Sequence, residues 1–159
     1  MTLQSTKQLP ISIQASHKSD VRTQFAALCY RINNDRPEIL LITSRGSRRW
    51  IVPKGWPMDN KTPAQAALQE AWEEAGVQGK AYERCLGLFS YAKALDSKTT
   101  LPCVALVYPV KVKSLTAKFP EAGQRRVKWF SPKKAAAKVD EPELAQILKT
   151  FDPKLLKGS

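Results

Sequence analysis

The chain has 159 residues, of which 43% are hydrophobic, and it carries a formal net charge of +12 at neutral pH. A chain of this length fits a single domain that buries roughly 68–70% of its unfolded surface. It contains no apolar run of about 18 residues that would cross a membrane, and residues 1–22 lack the apolar segment of a secretory signal. We therefore expect a cytoplasmic protein without a membrane partner.

The predicted elements begin after a flexible tail over residues 1–21. Two apolar, β-rich runs at residues 25–32 and 39–43 flank a turn-forming cluster and predict neighbouring strands. A short strand at residues 50–52 leads into Lys54 and Gly55. Further strands are predicted over residues 85–91, 101–112 and 127–130, and helices over residues 132–139 and 141–151, before a tail at 152–159. The last helix places Leu144, Ile147, Leu148 and Phe151 at helical spacing, which predicts core positions.

A central helix is marked at both of its ends. Thr62 is a capping residue, Pro63 suits the first helical position, and Gln65 completes a Thr-x-x-Gln capping box. Gly76 supplies the left-handed stop. At about 100° per residue, one arc of this helix is apolar and is expected to be buried. This arc consists of Ala64, Ala67, Leu68, Ala71, Trp72 and Ala75.

Three glutamates, Glu70, Glu73 and Glu74, form a second arc at the end of this helix. Like charges at these spacings repel by roughly 0.2–0.5 kcal/mol per pair, and they also lie near the negative end of the helix dipole. A divalent cation held between them would reverse the sign of these energies, and Mg²⁺ prefers carboxylate oxygens, water and substrate phosphates. A solvated acidic helix end is the alternative interpretation.

Cysteine and histidine limit the other chemistry available. Cys29, Cys85 and Cys103 cannot all pair and stand in apolar stretches, which predicts reduced thiols in the core. His17 stands alone, so a zinc site or triad built on histidine is excluded. The positive charge indicates an anionic partner, such as a polyphosphate or nucleic acid, or serves solubility. No RNA-binding motif with interleaved aromatic residues is apparent.

The spacing around the glutamates resembles the box of the Nudix hydrolase family, Gly-x₅-Glu-x₇-Arg-Glu-U-x-Glu-Glu-x-Gly-U, where U is aliphatic. The matching residues are Gly55, Glu70, Glu73, Glu74, Gly76 and Val77. Two positions depart, because the family's first glutamate is Lys61 here and its arginine is Gln69. Residues 27–31, 49–55 and 128–130 are similar to the diphosphoinositol polyphosphate phosphohydrolase branch, so the resemblance covers about residues 22–150.

The resemblance implies an α+β fold, the Nudix-type α/β/α sandwich with a mixed β-sheet, in one domain over residues 22–151. It also implies a Mg²⁺-dependent pyrophosphohydrolase, with Mn²⁺ as the alternative ion. Its substrates would be small polyphosphorylated molecules such as diphosphoinositol polyphosphates or dinucleoside polyphosphates. Metal ions would neutralise charge on the phosphate oxygens while water attacks.

The resemblance also implies roles for individual residues. The predicted metal site consists of Glu70, Glu73 and Glu74 with the carbonyl of Gly55, and the three glutamates are the predicted catalytic residues. Glu73 or Glu121 is the candidate general base. Predicted substrate-binding residues are Arg22, Arg45, Lys54, Lys98 and Arg125, because their charges suit phosphate oxygens. Trp56 either stacks on a substrate base or covers the loop.

Two other functions compete with this interpretation. The basic charge favours a pyrophosphohydrolase acting on the 5′ end of RNA, although RNA is not the preferred partner. The departures at Lys61 and Gln69 favour a non-catalytic Nudix module that binds a phosphate ligand. The sequence predicts neither the exact substrate, nor the number of metal ions, nor the oligomeric state.

Overall fold

The computed structural model describes residues 21–156, so most of the predicted 1–21 tail lies outside the described part of the chain. One mixed sheet carries helices on both faces. Its strands are β1 (Arg22–Asn33), β2 (Arg36–Thr43), β3 (Trp50–Ile51), β4 (Lys54–Gly55), β5 (Val77–Ala81), β6 (Gly87–Ala94), β7 (Thr100–Leu115) and β8 (Val127–Phe130). The helices are α1 (Pro63–Ala75), α2 (Pro132–Lys138), α3 (Pro142–Thr150) and a 3₁₀ helix at Pro153–Leu156.

The sheet is organised around β1. The order is β3-β2-β1-β7-β5, while β4 pairs with β1, β6 with β7 and β8 with β2. β1 runs parallel to β7, whereas its pairings with β2 and β4 are antiparallel. The sheet is therefore mixed, as predicted.

Alternation along β1 divides the core into two layers. Ala27 and Cys29 face one side, where they join the apolar face of α1, including Ala67 and Ala71. The alternate positions of β1 face the other side and pack with α2, α3 and the 3₁₀ helix. This arrangement confirms the predicted α/β/α sandwich. It places α1 alone on the face where the glutamates lie.

The central helix has the ends that the sequence predicts. The Thr62 side chain accepts a hydrogen bond from the backbone N–H of Gln65, and the Gln65 side chain accepts one from the backbone N–H of Thr62. Gly76 ends the helix at φ 74°, in the left-handed region. A Cβ at Gly76 would also lie 2.5 Å from the carbonyl oxygen of Thr116. Glycine is therefore required by backbone conformation and by close packing.

Three details differ from the sequence predictions. β5 was not predicted; it forms because it pairs with the long strand β7. Cys85 is exposed, so its predicted core position is wrong, whereas Cys29 and Cys103 are buried. The segment predicted as a tail at 152–159 begins with the 3₁₀ helix, whose Leu156 is packed into the core. Within residues 21–156 we find no helix with the length and apolarity needed to span a membrane.

Candidate functional site

Strand β4 places Gly55 against the carboxylate of Glu70 on α1. Lys54 and Gly55 pair with Ala26 and Phe25 of the central strand. A Cβ on Gly55 would lie 2.1 Å from the Cδ atom of Glu70, which is closer than any real contact. The absence of a side chain thus creates the space in which the Glu70 carboxylate and the Gly55 backbone meet.

Glu74 is the second carboxylate of this site and is only 7% exposed. The backbone N–H of Lys54 donates to its Oε1 atom over 3.4 Å. Burial raises the pKa of Glu74 to about 8, against the opposing effect of Arg125 and with a further rise from Glu70. Burial likewise raises the pKa of Glu70. Two neighbouring carboxylates in a low-dielectric setting retain a proton unless a cation replaces it.

Glu73 is held differently from its two neighbours on α1. The Nε2 atom of Gln69 donates to Oε2 of Glu73 over 2.8 Å, an i,i+4 contact on the helix surface. Within residues 21–156, no three His, Cys, Asp or Glu side chains form a group that could hold a metal ion. The carboxylates next to β4 are those of Glu70, against Gly55, and Glu74, at the backbone N–H of Lys54. Water and substrate oxygens would complete the ligands of a hard ion. The role of Glu73 as a ligand stays a prediction.

The loop over residues 116–126 closes the site from the carboxyl end of α1. The backbone N–H of Glu121 donates to the carbonyl of Glu73 over 3.0 Å. Arg125 donates through Nε to Oε1 of Glu121 over 2.9 Å and through a terminal nitrogen to the carbonyl of Thr43 over 3.1 Å. Its side chain is 8% exposed. Arg125, predicted to bind substrate phosphate, thus has most of its fork engaged with protein oxygens.

A group of basic residues lies beside the two carboxylates. This basic wall consists of Lys54, Arg22 and Lys93. The Nζ atom of Lys54 lies 4.7 Å from the centre of the Tyr91 ring, and the Tyr91 hydroxyl donates to Oε1 of Gln24. Burial lowers the pKa of Lys54 to about 8, with Glu74 acting in the opposite direction and Lys93 acting in the same direction. Lys54 therefore lies between the acidic and the basic parts of the site.

Strand pairing places Arg22 on the same wall. Arg22 lies opposite Cys103 in the register of β1 and β7, and Tyr91 lies opposite Cys103 from the other side. Lys93, two residues beyond Tyr91 on β6, has its Nζ atom 5.9 Å from the centre of the Trp56 ring. Sequence reasoning missed Tyr91 and Lys93. The strand predicted over residues 85–91 contains Tyr91, but only the longer observed strand β6 includes Lys93 on the same face.

The two other predicted phosphate ligands lie on exposed loops. Arg45 donates to Oε1 of Gln124 over 3.2 Å. Lys98 lies in the β6–β7 turn, where its backbone N–H donates to Asp96 over 2.8 Å. The structure thus brings Glu70, Glu74, Gly55 and Lys54 together and leaves Arg45 and Lys98 at the periphery.

A buried carboxylate missed by the sequence analysis lies near Lys54. Oε2 of Glu141 accepts a hydrogen bond from Arg49 over 3.1 Å, whereas its Oε1 atom is buried without a hydrogen-bond partner. Its charge acts on Lys54 in the same direction as that of Glu74. Position 141 precedes a proline at the start of a helix, which gave no functional signal.

The raised pKa of Glu74 predicts how stability depends on pH in the metal-free protein. Between about pH 4.5 and pH 8, the folded chain holds a proton that the unfolded chain has released. Stability is therefore expected to fall as pH rises through this range, and Lys54 contributes only above about pH 8. Urea unfolding with a chelator at several pH values measures this slope. Glu74→Gln should flatten it, and an equal slope in that variant would contradict the assignment.

Comparison with known proteins agrees with this geometry. The family model described as NUDIX domain matches residues 22–151. The chain belongs to the Nudix family. The family predicted from the box residues is thereby confirmed.

Two human relatives of this Nudix chain are diphosphoinositol polyphosphate phosphohydrolases 3-beta and 3-alpha. Each is 34% identical over 108 residues, which make up 66% of this chain and 61% of the relative. The match thus spans less than two thirds of the length of these relatives.

Solved structures show the same fold. The C. elegans Ap4A hydrolase has a TM-score of 0.60 at 20% identity, covering 85% of this chain and 98% of that one. The E. coli dihydroneopterin triphosphate pyrophosphohydrolase has a TM-score of 0.61 at 15% identity, covering 82% and 97%. At these identities the likeness confirms the Nudix fold alone.

Proposed function

We propose that this protein is a Mg²⁺-dependent pyrophosphohydrolase that cleaves a diphosphate linkage in a small polyphosphorylated molecule. The observation that carries this proposal is the proximity of two carboxylates and a lysine around strand β4. Glu70 lies against Gly55, Glu74 interacts with Glu70 and accepts from the backbone N–H of Lys54, and the charge of Glu74 acts on the Lys54 ammonium. A complex of a divalent cation with a phosphate chain presents the complementary pattern.

The donor set fits Mg²⁺ or Mn²⁺. The oxygen donors are the carboxylates of Glu70 and Glu74 and the carbonyl of Gly55. Glu73, in the last turn of the same helix, is a further possible donor. A bound ion would neutralise phosphate oxygens and favour deprotonation of water. The raised pKa values of half-buried Glu70 and buried Glu74 are the expected state of such a pair without its cation.

The remaining residues would bind and orient the substrate. Lys54, Arg22 and Lys93 would contact phosphate oxygens that the ion leaves uncompensated, because all three lie around Cys103 and Lys54 lies near Glu74. Glu73 or Glu121 would accept the proton of the attacking water. The backbone hydrogen bond between these two residues keeps both near the end of α1. Arg45 and Lys98 would contact the outer part of a long substrate.

The names of the relatives indicate which class of substrate to propose. The named human relatives are diphosphoinositol polyphosphate phosphohydrolases, and a structural neighbour is an Ap4A hydrolase. We propose that the chain acts on diphosphoinositol polyphosphates or dinucleoside polyphosphates. The net charge of +12 favours one further candidate, the triphosphate end of RNA.

A screen of substrates with product analysis tests the proposal. The purified protein, with Mg²⁺ or with a chelator, is incubated with a diphosphoinositol polyphosphate, a dinucleoside tetraphosphate and a 5′-triphosphorylated RNA. We expect metal-dependent cleavage of one of the two small substrates at a diphosphate linkage. Preferential cleavage of the RNA, with steep salt dependence, would replace the substrate class. Absence of turnover on every substrate by the folded protein would overturn the enzyme assignment.

A further inference from the structure

The glutamate cluster of α1 lacks the arginine that the Nudix box places beside it. Gln69 occupies that position and is neutral, and it donates a hydrogen bond to Glu73. Glu70, Glu73 and Glu74 are therefore three carboxylates on one helix with no cationic partner at position 69. A fourth carboxylate, Glu121, adds its charge to the same neighbourhood. Such a group needs a compensating charge to hold a defined arrangement.

Arg125 brings a cation to this group from outside the helix. Its terminal nitrogen lies 2.9 Å from Oε1 of Glu121 and 4.0 Å from Oε1 of Glu74. Its other terminal nitrogen donates to the carbonyl of Thr43 on β2. Because the side chain is 8% exposed, its interactions are little screened by solvent. The guanidinium thus connects the loop, the sheet and the metal helix at one point.

The surrounding backbone fixes Arg125 in this position. The N–H of Arg126 donates to the Thr43 hydroxyl over 2.9 Å, and the N–H of Thr43 donates to the carbonyl of Arg126 over 3.1 Å. At the other end of the loop, the N–H of Thr116 donates to the carbonyl of Gly76 over 2.8 Å. The loop is therefore tied to β2 and to the end of α1, which limits where the guanidinium can go.

We propose that Arg125 is a positioning residue that supplies, from the 116–126 loop, the cation that the helix lacks at Gln69. It orients Glu74 through charge and Glu121 through the hydrogen bond and ion pair at its Oε1 atom, and so holds the carboxylates around the proposed metal. This inference rests on the proposed metal-dependent function. It assigns Arg125 a role within the protein in place of direct phosphate binding.

The test combines metal binding with a rescue. Mn²⁺ binding to the full chain is measured by electron paramagnetic resonance, and kcat is measured with the substrate found in the screen. For Arg125→Gln we expect roughly 10–100-fold weaker Mn²⁺ binding or a similar loss in kcat, as for other residues that orient metal ligands. Arg126→Gln is the matched control, because it removes the same charge from the neighbouring exposed residue, whose guanidinium lies over Trp50.

The second variant restores the helix arginine. Gln69→Arg, added to Arg125→Gln, places a guanidinium one turn from Glu73 and is expected to recover most of the lost Mn²⁺ affinity. A purely structural role for Arg125 would not be rescued from position 69. If Arg125→Gln does not fold, Arg125→Lys keeps the charge without the fork and is expected to weaken Mn²⁺ binding less, but measurably.

The possible outcomes separate this inference from the proposed function. Failure of the unmodified protein to bind Mn²⁺ would overturn the metal site and the inference together. Normal binding by the unmodified protein with unchanged or tighter binding and normal kcat in Arg125→Gln would overturn the inference alone. In that case Arg125 would only oppose the cation by repulsion.

Discussion

Replacing Glu74 by glutamine is expected to lower kcat at least about 10³-fold. A catalytic metal contributes several kcal/mol of charge stabilisation, and roughly 1.4 kcal/mol corresponds to a factor of ten in rate. The amide keeps the shape of the side chain but removes one of the two charged ligands, Glu70 and Glu74, of the proposed metal. Steady-state kinetics at saturating Mg²⁺ measure the loss.

The same substitution should leave the fold intact or make it more stable near neutral pH. Glu74 is 7% exposed and holds a proton up to about pH 8 in the folded chain, whereas the unfolded chain has released it. The amide removes the cost of keeping this proton at neutral pH. Glu143→Gln, at an exposed position of α3, is the control for loss of one carboxylate and should retain full activity. A Glu74→Gln enzyme with normal kcat would show that the metal helix is not the catalytic element. In a non-catalytic module, the parent protein would bind phosphate ligands without turnover.

Replacing Gly55 by alanine is expected to lower metal-dependent activity by roughly 10²-fold, because misplacement of a reacting group by about 1 Å costs that much. The added Cβ would overlap the Glu70 carboxylate, with 2.1 Å to Cδ and 2.2 Å to Oε2. Either the carboxylate or β4 must move. The free energy of unfolding should fall by about 1–3 kcal/mol, as for other overpacked sites.

Gly46→Ala provides the matched control, because a Cβ at Gly46 meets no atom within 4 Å. Gly55 does not have a positive φ angle, so the effect at this position is steric and not conformational. Urea unfolding and kinetics are measured on both variants. Equal activity of the two alanine variants would show that activity does not depend on the position of the Glu70 carboxylate beside Gly55.

The sequence predicts the metal helix well because its signals are local. The capping box of Thr62 and Gln65 and the stop at Gly76 operate within a few residues of one another, and the structure contains all of them. The spacing of the glutamates has the same local character. The strand Val77–Ala81 is not predicted from the sequence, because its glycine, lysine and alanine have low β-propensity and pairing with β7 decides its conformation.

The candidate site was harder to predict wherever it depends on distant parts of the chain. Arg125 gives the sequence signal of a surface cation, yet Thr43, 82 residues away, accepts its hydrogen bond. Lys54 seemed a simple phosphate ligand, but its environment is set by Tyr91 on β6. Charge type is readable from the sequence, whereas burial and partner are properties of the tertiary structure.

The attachment of β4 to β1 has a consequence for motion. β1 also pairs with β2 and β7, so the amides that frame Gly55 belong to the most extensively bonded part of the sheet. Hydrogen exchange there requires opening of the whole cooperative unit, whereas the exposed β6–β7 turn at residues 95–99 can open locally. The backbone beside the two carboxylates is therefore expected to be rigid, and motion is expected to concentrate in the hairpin turn.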